Sequence, residues 1–348
     1  MSMRAVVISK YGDSSVLEHR RNIEIPKPKQ NQVLIENKAT SINPIDLMKR
    51  EGYGKEVFEK IRKNKFPWIL GCDVSGIIVD VGSKVTKFKK GQEVWGCTSG
   101  VNQGTYAEYI SLYQNEISLK PKNINFIEAA SIPYVALSTW SAIVRWAGLR
   151  PSDLLNKRVF IQAGAGGVGS FAIQLLSYWG SKIATTCSSK NIELLNSLGA
   201  EIAIDYNQDN FFDVLLNYDL VLDLLGDLGG EQSVIKSIGV LSKRSSSHYI
   251  SLNHPFLNTI DEKGLFLGVP SALIQRQKLR QLYKPINVHW SLYRPNPSAL
   301  ELIANLVEEE VIKPIIDTVF KLEDIKNAQE KVSTSHTVGK VVVNITDD

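Results

Sequence analysis

Gly164, Gly166 and Gly169 stand in the spacing GxGxxG within Ala163-Gly164-Ala165-Gly166-Gly167-Val168-Gly169. Alone the pattern is weak. Here it follows the strand-like run Arg158-Val159-Phe160-Ile161-Gln162 and opens an amphipathic segment, the setting its chemistry requires. The first glycine of such a loop permits a tight turn. The second lets the backbone approach a pyrophosphate, and the third packs helix against strand. Unpaired N–H groups and the positive end of the helix dipole then favour the phosphates. The chemistry is the binding of a nicotinamide dinucleotide, with Gly164, Ala165, Gly166, Gly167, Val168 and Gly169 as the loop.

The end of the next strand-like run discriminates between dinucleotides. An acid there binds a ribose 2′-hydroxyl. This chain has Cys187-Ser188-Ser189-Lys190, with no acid before Glu193. Two hydroxyls and an ammonium suit a 2′-phosphate, which a carboxylate would repel. NADPH is therefore the expected cofactor. Ser188 or Ser189 also reads as a helix N-cap, and one residue can serve both purposes.

These residues need elements to position them. Val168, Phe171, Ala172, Leu175, Leu176 and Trp179 recur on one face of a 3.6-residue period, so a helix follows the loop. Gly180 is placed to end it. Strand-like runs at 158–163, 182–187, 201–205, 219–225, 248–252 and 265–269 alternate with helical segments, which predicts βαβ units on a doubly wound parallel sheet. Residues 1 to about 120 read instead as short strands and turns. Ser298-Ala299-Leu300-Glu301 reads as a capping box opening a late helix, and Lys340-Val341-Val342-Val343 as a closing strand. The fold class is α/β: a Rossmann domain preceded by a β-rich region.

With 348 residues the chain has room for two domains. A composition of 43% hydrophobic and 22% charged residues is that of a folded protein, not a disordered one. The net charge of +4 is not concentrated anywhere as a nucleic-acid footprint. Cys72, Cys97 and Cys187 are too widely spaced for a disulfide framework or a CxxC pair. The start runs directly into Ala5-Val6-Val7-Ile8 with no signal or transit pattern, so a cytoplasmic location is expected. No run approaches ~18 uninterrupted apolar residues, so no membrane span is expected.

Several stretches together resemble the quinone oxidoreductase branch of the medium-chain dehydrogenase/reductase superfamily. Within it the chain is most similar to the reticulon-interacting mitochondrial oxidoreductases and their bacterial relatives. The stretches are Asn43-Pro44-Ile45-Asp46, Arg50-Glu51-Gly52-Tyr53, Leu70-Gly71-Cys72-Asp73-Val74-Ser75-Gly76, Pro133 to Trp140, the glycine loop, Leu198-Gly199-Ala200, Asp205-Tyr206 and Gly339-Lys340. The resemblance implies a partly open, GroES-like β-barrel domain at 1–125, a Rossmann NADPH-binding domain at 126–290, and a return segment at 291–348 that completes the first domain. It implies an active site in the cleft between domains and a homodimer. It also implies Tyr206 and Lys190 beside the adenosine 2′-phosphate, with Leu265-Phe266-Leu267 and Gly339-Lys340 along the nicotinamide half.

Zinc-dependent members carry Cys where this chain has Asn43, and Gly-His-Glu where it has Gly71-Cys72-Asp73. Catalytic zinc needs three protein ligands, and the five histidines show no ligand spacing, so no metal is expected. Without a Lewis acid, quinones and α,β-unsaturated carbonyls are the accessible acceptors, because the charge that hydride adds is delocalised. The protein then supplies positioning and a donor for the developing oxyanion. Candidate catalytic residues are Asn43, Asp46, Tyr53 and Thr139. Each has a plainer reading: a turn at Asn43-Pro44, an orienting carboxylate at Asp46, a pocket wall at Tyr53, a back-bonded helix hydroxyl at Thr139. The basic run from Lys55 to Lys65 reads as a solvated helix face or as a lid. The leading function is an NADPH-dependent quinone or enone reductase. A 2-enoyl-thioester reductase and an NADPH-binding protein with little turnover are the alternatives.

Overall fold

A computed structural model describes residues 1–62, 66–99 and 103–346. Lys63 and Lys65 of the basic run lie outside the described residues. The chain separates into two compact units, one of Met1–Leu137 with Pro295–Asp348, the other of Ser138–Arg294. Sequence placed the divisions at 125/126 and 290/291; the contacts place them at 137/138 and 294/295.

The first unit is a mostly antiparallel, GroES-like assembly, with one parallel pair between Ile316–Lys321 and Lys340–Asn344. Strand Gln32–Ile42 is its spine, pairing with Asp73–Val81 on one side and Lys340–Asn344 on the other, and with Tyr109–Tyr113 along its first half. Alternation along the spine sends Val33 and Ile35 into a core with Val74, Ile78, Val94, Ile110, Leu112 and Ile117. The return of the chain matters most for the site. Val341 pairs with Ile42 and Val342 with Ser41, so the last strand adjoins the turn at Asn43. The helix Pro44–Arg50 begins there, with proline in its first turn, where a missing N–H costs nothing.

The second unit carries a six-stranded parallel sheet. Its order is Ala200–Asp205, Lys182–Cys187, Arg158–Ile161, Leu220–Asp223, His248–Ser251, Asn287–Trp290. In chain order that is 3-2-1-4-5-6, the doubly wound Rossmann arrangement. The helix Gly167–Tyr178 buries Phe171, Ala172, Leu175 and Leu176 as the period predicts, and Gly180 takes a left-handed φ of 78° just beyond it.

Two expectations are corrected. Residues 265–269 form no strand but lie in the helix Phe256–Leu282, which is broken at Gly264 (φ 71°, ψ 167°). An unbroken apolar run carries no period to separate strand from helix. The packing decides it: a Cβ at Gly268 would lie 2.5 Å from the Ile260 Cα, so the two arms of the helix meet there. The sixth strand is the more polar Asn287–Trp290. The late helix begins at Pro297, not at a Ser298 capping box; Asn296 caps it, accepting the Ala299 N–H at 3.0 Å.

Phe126–Trp146 is long and apolar enough to cross a membrane, yet 72% of its most apolar window is buried within the protein, as in a core helix.

Candidate functional site

The glycine loop is built by its neighbours. The Ala163 N–H donates to Thr186 Oγ1 at 3.0 Å, the Gly164 N–H to the Thr186 carbonyl at 2.9 Å, and Ala163 itself is left-handed (φ 58°). A Cβ at Gly164 would lie 2.1 Å from Thr185 Oγ1, and one at Gly169 would lie 2.5 Å from the Ala163 carbonyl oxygen. The fold therefore demands glycine at both. Gly166 is different. It has an ordinary backbone (φ −72°, ψ 172°), and the nearest atom to a Cβ there is the Ala163 oxygen at 3.6 Å. Nothing in the protein requires glycine at this position. The open space lies at the N-cap of the helix Gly167–Tyr178, whose first N–H groups receive no side-chain cap. This cradle fits a pyrophosphate.

At the adenosine end, Ser188 is half-buried, while Ser189, Lys190 and Tyr206 are exposed. The Tyr206 N–H donates to the Cys187 carbonyl at 3.1 Å, which holds Tyr206 beside the Ser188–Lys190 turn. The sheet also brings in a residue to which the sequence reading gave no role of its own. Asp205 is the register partner of Cys187 on the neighbouring strand. Its carboxyl is held below the usual range by the Asn207 backbone N–H, the Asn207 side chain and the Ser189 hydroxyl. A charged carboxylate thus lies near the predicted phosphate site, its Oδ1 accepting from the Asn207 N–H and side-chain amide at 3.0 Å each.

In the first unit a buried polar network surrounds Asn43. Asp73 Oδ2 accepts from Ser41 Oγ at 2.5 Å and Asn43 Nδ2 at 2.8 Å, and Asp73 Oδ1 accepts the Tyr134 N–H at 2.6 Å. The Lys340 ammonium lies 3.6 Å from Asp73 and donates to Asn43 Oδ1 and to the Ile42 carbonyl. Asp46 receives the Asn43 N–H at 2.9 Å, the Tyr106 hydroxyl at 3.0 Å and the Cys72 thiol at 3.3 Å. Burial pushes the Asp46 carboxyl upward, against the pull of Lys49. Burial likewise raises Tyr106 and Tyr134 well above the ordinary phenol range.

The predicted site residues therefore fall into groups. Asn43 and Asp46 come together, with Asp73 and Lys340. Asn43 is 1% exposed and Asp46 is fully enclosed. Tyr53 is half-buried just after the helix Pro44–Arg50, its N–H on the Met48 carbonyl at 2.9 Å. Thr139 belongs to the other unit and is buried in the helix Pro133–Trp140. Gly339 has a φ of 72°, and a Cβ there would lie 2.1 Å from the Ile315 oxygen, while the Lys340 ammonium is turned into the network. Leu267, expected on a strand, is instead 70% exposed on the outside of a helix. Among the described residues no three His, Cys, Asp or Glu side chains are grouped to hold a metal.

Residues 29–122 match the model of the alcohol dehydrogenase GroES-like domain, and residues 198–343 that of the zinc-binding dehydrogenases. A mitochondrial NAD(P)H oxidoreductase of Danio rerio, RTN4IP1, is 36% identical over 99% of this chain and 92% of its own. The chain belongs to the medium-chain dehydrogenase/reductase superfamily. With an intact dinucleotide loop it is a nicotinamide-dependent oxidoreductase of that superfamily. A chloroplastic NADPH-dependent alkenal/one oxidoreductase of Arabidopsis thaliana is 32% identical over 98% of this chain and 79% of its own. Among solved superfamily structures, the quinone oxidoreductase from Coxiella burnetii has a TM-score of 0.83 at 28% identity, covering 99% of this chain and all of that one.

One expectation is overturned here. The cytoplasmic location does not stand, because the relatives from Danio rerio, Bos taurus, Mus musculus and Homo sapiens are mitochondrial proteins. A strand beginning at Ser2 shows where the fold starts; it carries no information about compartment.

Proposed function

We propose that this protein passes hydride from NADPH to a quinone or an α,β-unsaturated carbonyl, without a metal. The observation that carries the reading is Gly166, a glycine that the fold does not need, at an uncapped helix N-terminus. When bound, NADPH supplies the hydride. The protein's residues do the rest. The N–H groups of Gly167, Val168 and Gly169 hold the pyrophosphate, and Ser188, Ser189, Lys190 and Tyr206 receive the 2′-phosphate. Asp205 keeps its negative charge nearby, and the exposed Lys190 ammonium is the counter-charge we assign to the phosphate.

Two features favour metal-free chemistry. The position of the zinc-binding cysteine is taken by Asn43, whose amide is bound to Asp73 and Lys340. Cys72 gives its thiol proton to a hydrogen bond with Asp46. Neither is presented as a ligand set. The acceptor must then carry its own means of delocalising charge, as quinones and enones do. Tyr53 is the donor we assign to the developing oxyanion, since a phenol donates while keeping its proton at neutral pH. Asn43 and Asp46 position the turn that precedes it, and water supplies the proton. The names of the NAD(P)H and alkenal/one oxidoreductase relatives support the same chemistry.

The test is direct. Titration of the purified protein with NADPH and NADH, followed by cofactor fluorescence, is expected to show at least tenfold tighter binding of NADPH. Lys190→Glu should remove most of that preference. Oxidation of NADPH with a panel of quinones, enals and enoyl thioesters should give turnover on the first two. Preference for NADH, or turnover on thioesters alone, would sink the reading.

A further inference from the structure

Beyond Gly264 the helix Phe256–Leu282 turns its packed side inward with Gly268 and Ala272 buried, Leu265 and Val269 half-buried beside them. The opposite side is not the polar face that such a helix ordinarily shows to water. Phe266 is 93% exposed, Leu267 70%, Ile274 57% and Leu273 49%, with Pro270 exposed between them. Positions 266, 267, 270, 273 and 274 fall on one stripe at 3.6 residues per turn. The flanks of the stripe are basic. The exposed Lys278 borders it on one side and the exposed Lys284 follows the helix, while Arg276 lies over Trp146 and Arg280 donates to the Val288 carbonyl at 3.1 Å; from Gly264 to Lys284 there is no acidic residue.

We propose that this stripe seats the protein peripherally on an anionic lipid surface. A helix with large apolar side chains on one face and lysine or arginine at its borders is the form that lies in a bilayer interface, its apolar face among the upper acyl chains and its cations at the headgroups. The single source of negative charge that matches both halves of the pattern is a layer of anionic headgroups over hydrocarbon. A second copy of the chain fits less well. The four exposed side chains offer on the order of 500 Å² of apolar surface, below the roughly 800 Å² per partner of a stable protein interface. The proposal is independent of which acceptor is reduced. It places the enzyme where lipid-soluble acceptors are concentrated.

The experiment is co-sedimentation of the NADPH-loaded protein with vesicles of phosphatidylcholine, alone or mixed with phosphatidylglycerol. Binding to the mixed vesicles is expected to exceed binding to the neutral ones at least tenfold and to weaken with salt. The double variant Leu273→Asp, Ile274→Asp should lose at least tenfold in vesicle binding while its NADPH titration stays as in the parent protein. Lys278→Glu should weaken binding to the mixed vesicles. Three outcomes overturn the proposal: no sedimentation with anionic vesicles, sedimentation indifferent to the double variant, or a parental dimer in sedimentation velocity that the double variant dissociates, which would assign the face to a second copy.

Discussion

Replacing Gly166 with alanine separates what the loop needs for folding from what it needs for its ligand. The added Cβ meets the protein only at 3.6 Å, an ordinary van der Waals distance, and the backbone angles suit any residue. Its cost to folding is that of alanine for glycine at an N-cap, partly offset by the lower entropy of the unfolded chain, and should stay within about 1 kcal/mol. The methyl group nevertheless occupies the space through which a pyrophosphate reaches the helix N–H groups. Losing one such charge-assisted hydrogen bond costs about 1.5–3 kcal/mol, or about 10- to 100-fold in Kd. Gly169→Ala is the control with the reverse signature. Its Cβ would lie 2.5 Å from the Ala163 oxygen and 2.7 Å from the Gly164 Cα, so backbone must move, and stability should fall by about 1–3 kcal/mol. Thermal unfolding and NADPH fluorescence titration of both variants read the two effects. Unchanged NADPH affinity in Gly166→Ala would refute the reasoning, because the one glycine left unexplained by the fold would then be unexplained by the ligand also.

Asp73→Asn should lower stability by about 3 kcal/mol, since it leaves the Lys340 ammonium buried without its anion; urea unfolding measures this, and a change below 1 kcal/mol would mean that the network is dispensable. Tyr53→Phe should reduce kcat/KM for a quinone by about 10²-fold without altering NADPH binding, and an unchanged rate would remove Tyr53 from the site. Acid should destabilise the second unit. Burial brings His254 down to about 4, with Arg276 adding to it, and brings His289 down to about 4, with His248, Arg280 and Arg276 adding. The unfolded chain takes up these protons first as pH falls through about 6.5. Stability present above that pH is therefore lost progressively toward pH 4, by up to about 3 kcal/mol per histidine. Urea midpoints between pH 7 and 4.5 should fall, and His254→Gln should flatten the slope; a parallel slope in the variant would exclude His254 as a source.

The parts that were legible in the sequence are those whose causes are local. The loop, its helix and the order of alternation from Arg158 to Ser251 each follow from residues within one or two turns of each other. Leu265-Phe266-Leu267 was misread because an apolar run without a period looks alike in a strand and a helix, and the cause of its helicity, the close approach of Gly268 to Ile260, is tertiary. The cap of the helix Pro297–Glu308 was placed two residues late because Ser298 and Glu301 mimic a capping box, while proline at the first helical position fixes the start. Asp205, quoted only within the Asp205-Tyr206 stretch, was given no role because it comes beside Cys187 across a parallel ladder, 18 positions further along the chain.

The network around Asn43 favours the plainer of its two readings, a turn residue, over an oxyanion donor. An amide in a turn beside a predicted substrate domain is a reasonable oxyanion donor until its bonds are counted. Its Nδ2 donates to Asp73, its Oδ1 accepts from Lys340, its backbone N–H donates to Asp46, and its carbonyl accepts the Asp46 N–H. At 1% exposure the one remaining amide hydrogen reaches nothing from solvent without breaking bonds that hold three strands together. A buried group satisfied on all sides rigidifies its surroundings; a catalytic donor must keep a hydrogen for the reaction. Tyr53 follows the same helix, is only half-buried, and is the residue we assign to that donation. On that reasoning Asn43→Ala would be lost chiefly in stability and Tyr53→Phe chiefly in rate.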